Sequence, residues 1–333
     1  MKINSQPAAA PTLVDVARQA GVNKVTASVV LSGGQGNTRV SEATRQRIRL
    51  AAETLHYQPN ALARSLRSRR THTVGFYLSD FIDLRDLFLS EIVSGLQQGC
   101  RENRHDFLMH GTFEGRSTDE VYAHLLNGKI DGLVLHVDSG DPLLPRLAGS
   151  RLRVVAVANP VPSLPSVTVD DIAGSRLLAA HLAEKGHTRL LYAACPYPVS
   201  SAVRREKAFF EAARTWGMTV AAKLTDPSIA LTPDFLTLPD GGQATALVCW
   251  NDLAAYRLIS HFRAAGLRVP EDLAVAGFDG MTSELPPAYR LTTVRAPWHE
   301  VARTAVSLLC LSPGKPPLEE TVLPVQFVAG ETT

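Results

Sequence analysis

Residues 12–31 read TLVDVARQAGVNKVTASVVL, and this stretch decides the fold of the amino-terminal part of the chain. Thr12 stands where a hydroxyl caps a helix, with the Asp15 carboxylate three residues on. Leu13, Val16, Ala17 and Ala20 then recur at i, i+3, i+4 and i+7, an apolar stripe along one helix face. Gly21 supplies the left-handed residue that ends such a helix, Val22 is the turn hydrophobe, and Asn23 caps a second helix over Lys24–Leu31. Helix, short glycine turn, helix is a helix-turn-helix pattern. Ser41-Glu42 opens a third helix to about Leu55, with Ile48, Ala51, Ala52 and Leu55 inward and Arg45, Arg47 and Arg49 along it. Pro59 stops the chain, and Asn60–Leu66 has the composition of one more helix, too short to stand alone.

Charge follows the same division. Residues 1–70 carry 11 Lys and Arg against Asp15, Glu42 and Glu53, a balance of +8. The other 263 residues therefore carry 23 basic and 29 acidic groups, −6, within a whole-chain charge of +2. A basic helical head on a mildly acidic body reads as a polyanion-binding module joined to a soluble receptor or enzyme. In a helix-turn-helix the second helix enters the major groove. Its first residues here are Lys24, Val25, Thr26, Ser28 and Val29. Lys24 suits guanine acceptors, Val25 and Val29 suit a thymine methyl, and Thr26 and Ser28 suit phosphates.

With 333 residues the chain is long enough for about two core domains and an appendage. Its 45 % hydrophobic and 20 % charged composition excludes wholesale disorder, and no apolar run is long enough to span a bilayer. Met1–Pro11 has no apolar core of a secretory signal, so a cytoplasmic location is expected. Cys100, Cys195, Cys249 and Cys310 are widely spaced and read as reduced thiols.

The body alternates short apolar runs with amphipathic helices. Strands are expected at Thr73–Leu78, Asp106–Met109, Gly132–Val137 and Arg153–Ala158, then at Arg189–Ala194, Met218–Leu224, Ala246–Trp250 and Leu273–Phe278. Two such series imply two parallel-sheet lobes with a cleft beyond the carboxyl ends of the strands. Asp80, Asp138, Asn251-Asp252 and Asp279 stand at those ends, a lining suited to a polyhydroxylated ligand. Asp252 reads as a helix cap. Enzyme signatures are missing: His299-Glu300 lacks a second His, there is no G-x-S-x-G elbow and no phosphate-binding lysine loop. No catalytic residue, metal site or cofactor is expected.

Thr12–Val22, Val40-Ser41-Glu42-Ala43-Thr44-Arg45 and Tyr57-Gln58-Pro59-Asn60-Ala61-Leu62-Ala63-Arg64-Ser65-Leu66 resemble the lac repressor family, and the resemblance continues to the carboxyl terminus. It implies an α/β fold class: an all-α helix-turn-helix head (1–58), a hinge helix and linker (59–71), and a periplasmic-binding-protein-like body (72–333). One lobe would hold about 72–168 and 295–320, the other about 169–294 and 321–333. The chain would cross between lobes three times, with Trp298–Leu311 returning to the first and Leu323–Val328 to the second. The implied function is a transcriptional regulator that binds a palindromic double-stranded operator as a homodimer and senses a small molecule, a carbohydrate by preference, without contact to membrane. Alternatives are a nucleobase or other metabolite as effector, or a solute-binding or sugar-processing protein with a basic extension.

The implied DNA-contacting set is Thr12, Arg18, Asn23, Lys24, Val25, Thr26, Ser28, Val29 and Arg39, with Asn60, Ala63 and Leu66 from the hinge, where Leu66 matches a minor-groove wedge. The implied effector set is Asp86, Phe88, Ser201, Arg205, Trp250, Asn251 and Asp279. The chain also departs from the family's common residues, with Asn23, Ala27 and Val29 in the head, Asp86-Leu87, Ala158 and Gly280 in the body, and a shortened stretch between Gly217 and Asn251. Operator preference and effector are therefore expected to be its own.

Overall fold

The structure is a computed structural model that describes residues 10–31, 40–79, 86–110, 115–197, 199–224, 236–238, 241–281, 290–311 and 314–333. The chain forms two compact units, Met1–Thr71 and His72–Thr333.

The first unit is helical: α1 (Leu13–Gln19), α2 (Lys24–Leu31), α3 (Glu42–Thr54) and α4 (Ala61–Ser68). Thr12 and Asp15 form the expected capping box, each side chain meeting the other's backbone N–H. Gly21 follows α1 at φ +64°, which lets the Val22 N–H turn back to the Ala17 carbonyl at 3.0 Å. The Asn23 side chain accepts from the Thr26 N–H at 2.7 Å, so α2 starts one residue after the turn. Ser41 caps α3, and Asn60 accepts from the Ala63 N–H at the start of α4. The core is small: Val16, Ala17, Ala20, Ala27, Val30, Ile48, Ala51 and Ala52, of which Ile48 is the largest side chain.

The second unit holds two parallel sheets. The larger is built from β1 (Thr73–Leu78), β2 (Asp106–Met109), β3 (Gly132–His136), β4 (Arg153–Val157), β5 (Ser166–Val169) and β11 (Glu320–Leu323), in the order β11-β5-β4-β3-β1-β2. The smaller has the order β7-β6-β8-β9, from β6 (Arg189–Ala193), β7 (Thr219–Leu224), β8 (Ala246–Cys249) and β9 (Ala274–Ala276). β10 (Thr293–Arg295) and β12 (Gln326–Val328) pair antiparallel, and bridges Ala276↔Thr292 and Asp279↔Arg295 tie β10 to the end of β9. α5 (Leu87–Glu102) and α11 (Trp298–Leu311) pack together against the first sheet. Their close approach needs Gly95, because a Cβ there would collide with the His299 backbone. α6 (Thr118–Leu125) and α7 (Leu144–Gly149) cover the other face. α8 (Asp171–Glu184) packs on α9 (Ser200–Thr215), and α10 (Asp252–Ala264) covers the opposite face of the smaller sheet. All four cysteines are free thiols.

One expectation needs correction, and one strand was missed. The run Leu323–Val328 is not one strand of the second lobe. Residues 320–323 form β11 on the edge of the first sheet, Pro324 interrupts, and only 326–328 continue as β12. Proline has no N–H for a ladder, so the strand breaks there and the chain changes partner. The tail nevertheless ends in the second lobe, where the Val275 N–H donates to the Thr332 carbonyl at 2.7 Å. β5 was not expected at all. Its four residues follow Pro165 and are too few to register as a periodic run, yet β5 lies between β4 and β11 and is buried throughout.

Candidate functional site

Two surfaces follow from these elements, one on each unit. On the first, α2 begins with Lys24 and Val25 exposed, Val25 at 69 %. Thr26, Ser28 and Val29 are half-buried, so Lys24 and Val25 are the most exposed of the α2 residues expected to meet DNA. Arg18 is exposed and pairs with Asp15 at 3.3 Å. The Thr12 hydroxyl is spent on the Asp15 carboxylate at 2.6 Å, which leaves its role local. Asn23 and Asn60 both use their side-chain oxygens as caps, accepting from the Thr26 and Ala63 N–H groups. Leu66 is 83 % exposed on α4, an apolar side chain without cover in this unit. Ala63 is also exposed, and Arg39 lies outside the described residues.

On the second unit a cavity of about 320 Å³ opens between the two sheets. All seven expected residues belong to one polar and aromatic lining with Asn159, His136 and Trp298: Asp86, from the amino end of α5, Phe88, Ser201, Arg205, Trp250, Asn251 and Asp279. Arg205 is its centre. It comes from α9, is 4 % exposed, and lays its guanidinium over the Phe278 ring at 3.8 Å. Its Nε donates to Asp171 Oδ1 at 2.8 Å, and its Nη1 donates to Asp279 Oδ1 at 3.1 Å and to the Trp250 carbonyl at 3.0 Å. Asp279 sits at φ +126°, a backbone state that non-glycine residues rarely adopt, between the Val294 and Ala296 backbone. Phe88 stands edge-on to Trp298, ring centres 4.9 Å apart, and 5.4 Å from His136. It is half-buried, which places it on the cavity wall.

Several expected ligand groups are partly committed to the fold. Asn251, not Asp252, caps α10: its Oδ1 accepts from the Ala254 N–H at 2.8 Å. Asp252 is the first helical residue and a buried latch instead, accepting from the Thr293 hydroxyl at 2.6 Å and the Met281 N–H at 2.8 Å. The Asp86 carboxylate caps α5 through the Phe88 N–H at 2.9 Å. The Ser201 hydroxyl donates to Asn159 Oδ1 at 2.8 Å. Asp138 turns onto its neighbour Ser139, and Asp80 lies outside the described residues. Sequence reasoning missed Asp171, Asn159 and Trp298. The Trp298 indole is buried beside the Asp279 carboxyl and helps to hold that carboxyl's charge against the effect of burial. A second, more open groove of about 410 Å³ shares Asp279 and Trp298 and runs past Glu91, Arg295 and Gln326.

Burial dominates the electrostatics. It pushes Asp279 up to about 7 and Asp252 up to about 6 against the pull of Arg205 and local hydrogen bonds, and it raises Asp171 as well. A carboxyl raised in the folded state binds more protons there than in the unfolded chain. Its contribution to stability therefore falls as pH rises from about 4 to about 7. His110, pushed down to about 4 by burial, contributes the opposite slope over nearly the same window. The clean measurement is thus a difference. Asp279→Asn is expected to gain stability relative to the parent as pH rises from 4 to 7 and to level off above. Paired denaturant titrations at several pH values check this, and a pH-independent difference contradicts it.

Among the described residues no group of three or more His, Cys, Asp or Glu is placed to hold a metal ion, and no helix is long and apolar enough to cross a membrane.

Comparison with known proteins covers both units. The family described as "Bacterial regulatory proteins, lacI family" matches residues 12–60, and a periplasmic binding protein-like domain family matches residues 179–333. The chain is 30 % identical over 317 residues to the HTH-type transcriptional repressor PurR of Aliivibrio fischeri, covering 90 % of each. Among solved structures it is similar to the lac repressor dimer bound to operator and an anti-inducer, with a TM-score of 0.82 and 24 % identity over 97 % of this chain and 99 % of that one. It is also similar to the transcriptional regulator CelR in complex with cellobiose, with a TM-score of 0.66 and 28 % identity over 97 % and 100 %.

Proposed function

The chain belongs to the lacI family of bacterial regulatory proteins, and from that premise we propose that it is a transcriptional regulator, in the repressor sense, whose homodimer grips a roughly palindromic operator and responds to a small molecule in the Arg205–Asp279 cavity. The observation that carries the DNA reading is the exposed start of α2, with Lys24 and Val25 presented on a unit whose residues 1–70 sum to +8. A two-fold pair of such helices reads two half-sites one helical turn apart. The preferred ligand is a sugar or sugar derivative. The cavity offers an aromatic wall of Phe88 and Trp298 beside a row of carboxylate, amide and guanidinium groups, and its volume is at the low end for small-molecule sites. The likeness to a cellobiose-bound regulator supports the same class. Ligand and operator are coupled through the unit that carries the cavity, with a coupling free energy of about 1–3 kcal/mol.

The same reading places the protein in the cytoplasm and assigns it no turnover. The Cys195 thiol in the cavity is pushed up by burial, and the Ser201 hydroxyl is already a donor to Asn159, so neither is an activated nucleophile. Gel shifts with genomic fragments against random competitor test the reading directly; equal affinity for both sinks it. Ligand panels monitored by thermal shift test the cavity. Leu66→Ala is expected to weaken operator binding about tenfold, roughly 1.4 kcal/mol, with non-specific binding changed less than about twofold, because an inserted apolar wedge acts only where DNA is kinked. Equal losses on both kinds of DNA contradict the wedge. The thermal stability of the variant should be that of the parent, since Leu66 is exposed.

A further inference from the structure

Arg205 is the one Lys or Arg among the described residues that line the cavity, and its charge is met twice over. Asp279 approaches it from the cavity side and Asp171 from behind, at 3.1 and 2.8 Å. Asp171 is 2 % exposed and does not line the cavity. It is not the cap of α8 either, because Asp170 accepts from the Ala173 N–H and does that work. Its second oxygen, Oδ2, is buried with no hydrogen-bond partner among the described residues. The neighbouring cation Arg204 gives little relief, since Glu320 holds it at 2.5 and 2.9 Å. A buried carboxylate with one oxygen unserved is costly, and packing gives no reason to keep it.

Its effect on the cavity is electrostatic. A free buried guanidinium is the strongest attractor a protein offers to phosphate or carboxylate. Here Asp171 pairs with it from behind and Asp279, partly protonated near neutral pH because burial lifts it to about 7, hydrogen-bonds it from the cavity side, so an anionic ligand would meet no free cation. Neutral hydroxyl oxygens still find donors. Arg205 Nη2 makes no hydrogen bond among the described residues and remains a donor for a ligand oxygen. We infer that Asp171 is a charge gate: by neutralising Arg205 from behind the cavity wall, it admits uncharged polar ligands and rejects those carrying phosphate or carboxylate. This rests on the reading of the cavity as the effector site. Asp171 acts through Arg205 and is a specificity-determining residue that touches no ligand, a rejection built from charge.

Calorimetric titration of the full chain with matched pairs tests the gate: D-glucose and D-glucose 6-phosphate, D-ribose and D-ribose 5-phosphate, D-galactose and D-galacturonate. The expected result is that at least one neutral sugar binds tenfold or more tighter than its charged counterpart. In Asp171→Asn, which keeps the acceptor for Arg205 Nε but removes the charge, that ratio should narrow at least tenfold while neutral affinity stays within about threefold. Asp171→Glu, which keeps the charge, should retain the discrimination. A purely structural role would change both members of a pair alike. An unchanged ratio in folded Asp171→Asn overturns the gate and leaves the cavity reading standing. Should that variant fail to fold, the parent's own ratio decides, and equal or tighter binding of the charged member overturns the gate. No binding of any probe by either protein overturns the cavity reading and the gate with it.

Discussion

Arg205→Ala is expected to destabilise the second unit by about 3 kcal/mol and to abolish its ligand response. Removing one partner of a buried ion pair costs roughly 3–5 kcal/mol because the other charge stays behind. Here two stay behind, Asp171 and Asp279. The lower figure applies because burial already lifts Asp279 to about 7, so protonation relieves part of the strain at neutral pH. The variant also loses the guanidinium face stacked on Phe278 and the donor to the Trp250 carbonyl. For a unit of this size about 3 kcal/mol lowers the melting temperature by roughly 6–12 °C. Calorimetry of the full chain measures the shift, and titration with the best neutral sugar measures the response. A shift under about 2 °C would mean that Arg205 is not the pivot of the cluster. Arg205→Lys should fall well short of rescue, since one ammonium cannot serve Asp171, Asp279 and a carbonyl in the fork geometry of a guanidinium.

Ile48→Ala is expected to abolish DNA binding without touching the ligand site. Ile48 is fully buried and is the largest side chain in a core otherwise made of alanine and valine. Such truncations cost about 2–5 kcal/mol, and a helical unit of this size seldom has more than about 3–5 kcal/mol in total. The head should therefore be largely unfolded at growth temperature. Operator affinity should fall more than about a hundredfold, with loss of helical circular dichroism, while the melting of the second unit and its sugar titration stay as in the parent. Leu50→Ala is the control: that side chain is 63 % exposed, two residues away on the same helix, and its removal should leave head stability within about 0.5 kcal/mol. Retained operator binding in Ile48→Ala would show a second source of stability in the head.

The head was legible in detail because its signals are short-range. Thr12 with Asp15, Gly21, Asn23 and Ser41 each act on backbone within three or four residues, so spacing alone places them. The two sheets were legible as runs of buried apolar residues, and most boundaries agree to within a residue or two. What failed were elements whose identity depends on a distant partner. β5 is four residues long and exists because β4 and β11 flank it. β11 and β12 read as one strand until Pro324 sends them to different sheets.

The cavity divides the same way. Arg205, Asp279, Asn251 and Phe88 could be named from motifs, and all four line it. Local rules also explain why Asn251 and Asp86 are spent as caps, since both act on the helix they begin. Asp171 and Trp298 could not be named. Asp171 lies 34 residues from Arg205 in the chain and meets it only where α8 packs on α9. Trp298 reaches Phe88 only because the chain crosses between the lobes a second time. Caps, turns, apolar periodicity and the split of charge between head and body are written in neighbouring residues, because their energies are local. Which carboxylates confront the buried guanidinium, and which polar groups remain free for a ligand, arises from long-range packing, where burial multiplies the consequence of each charge.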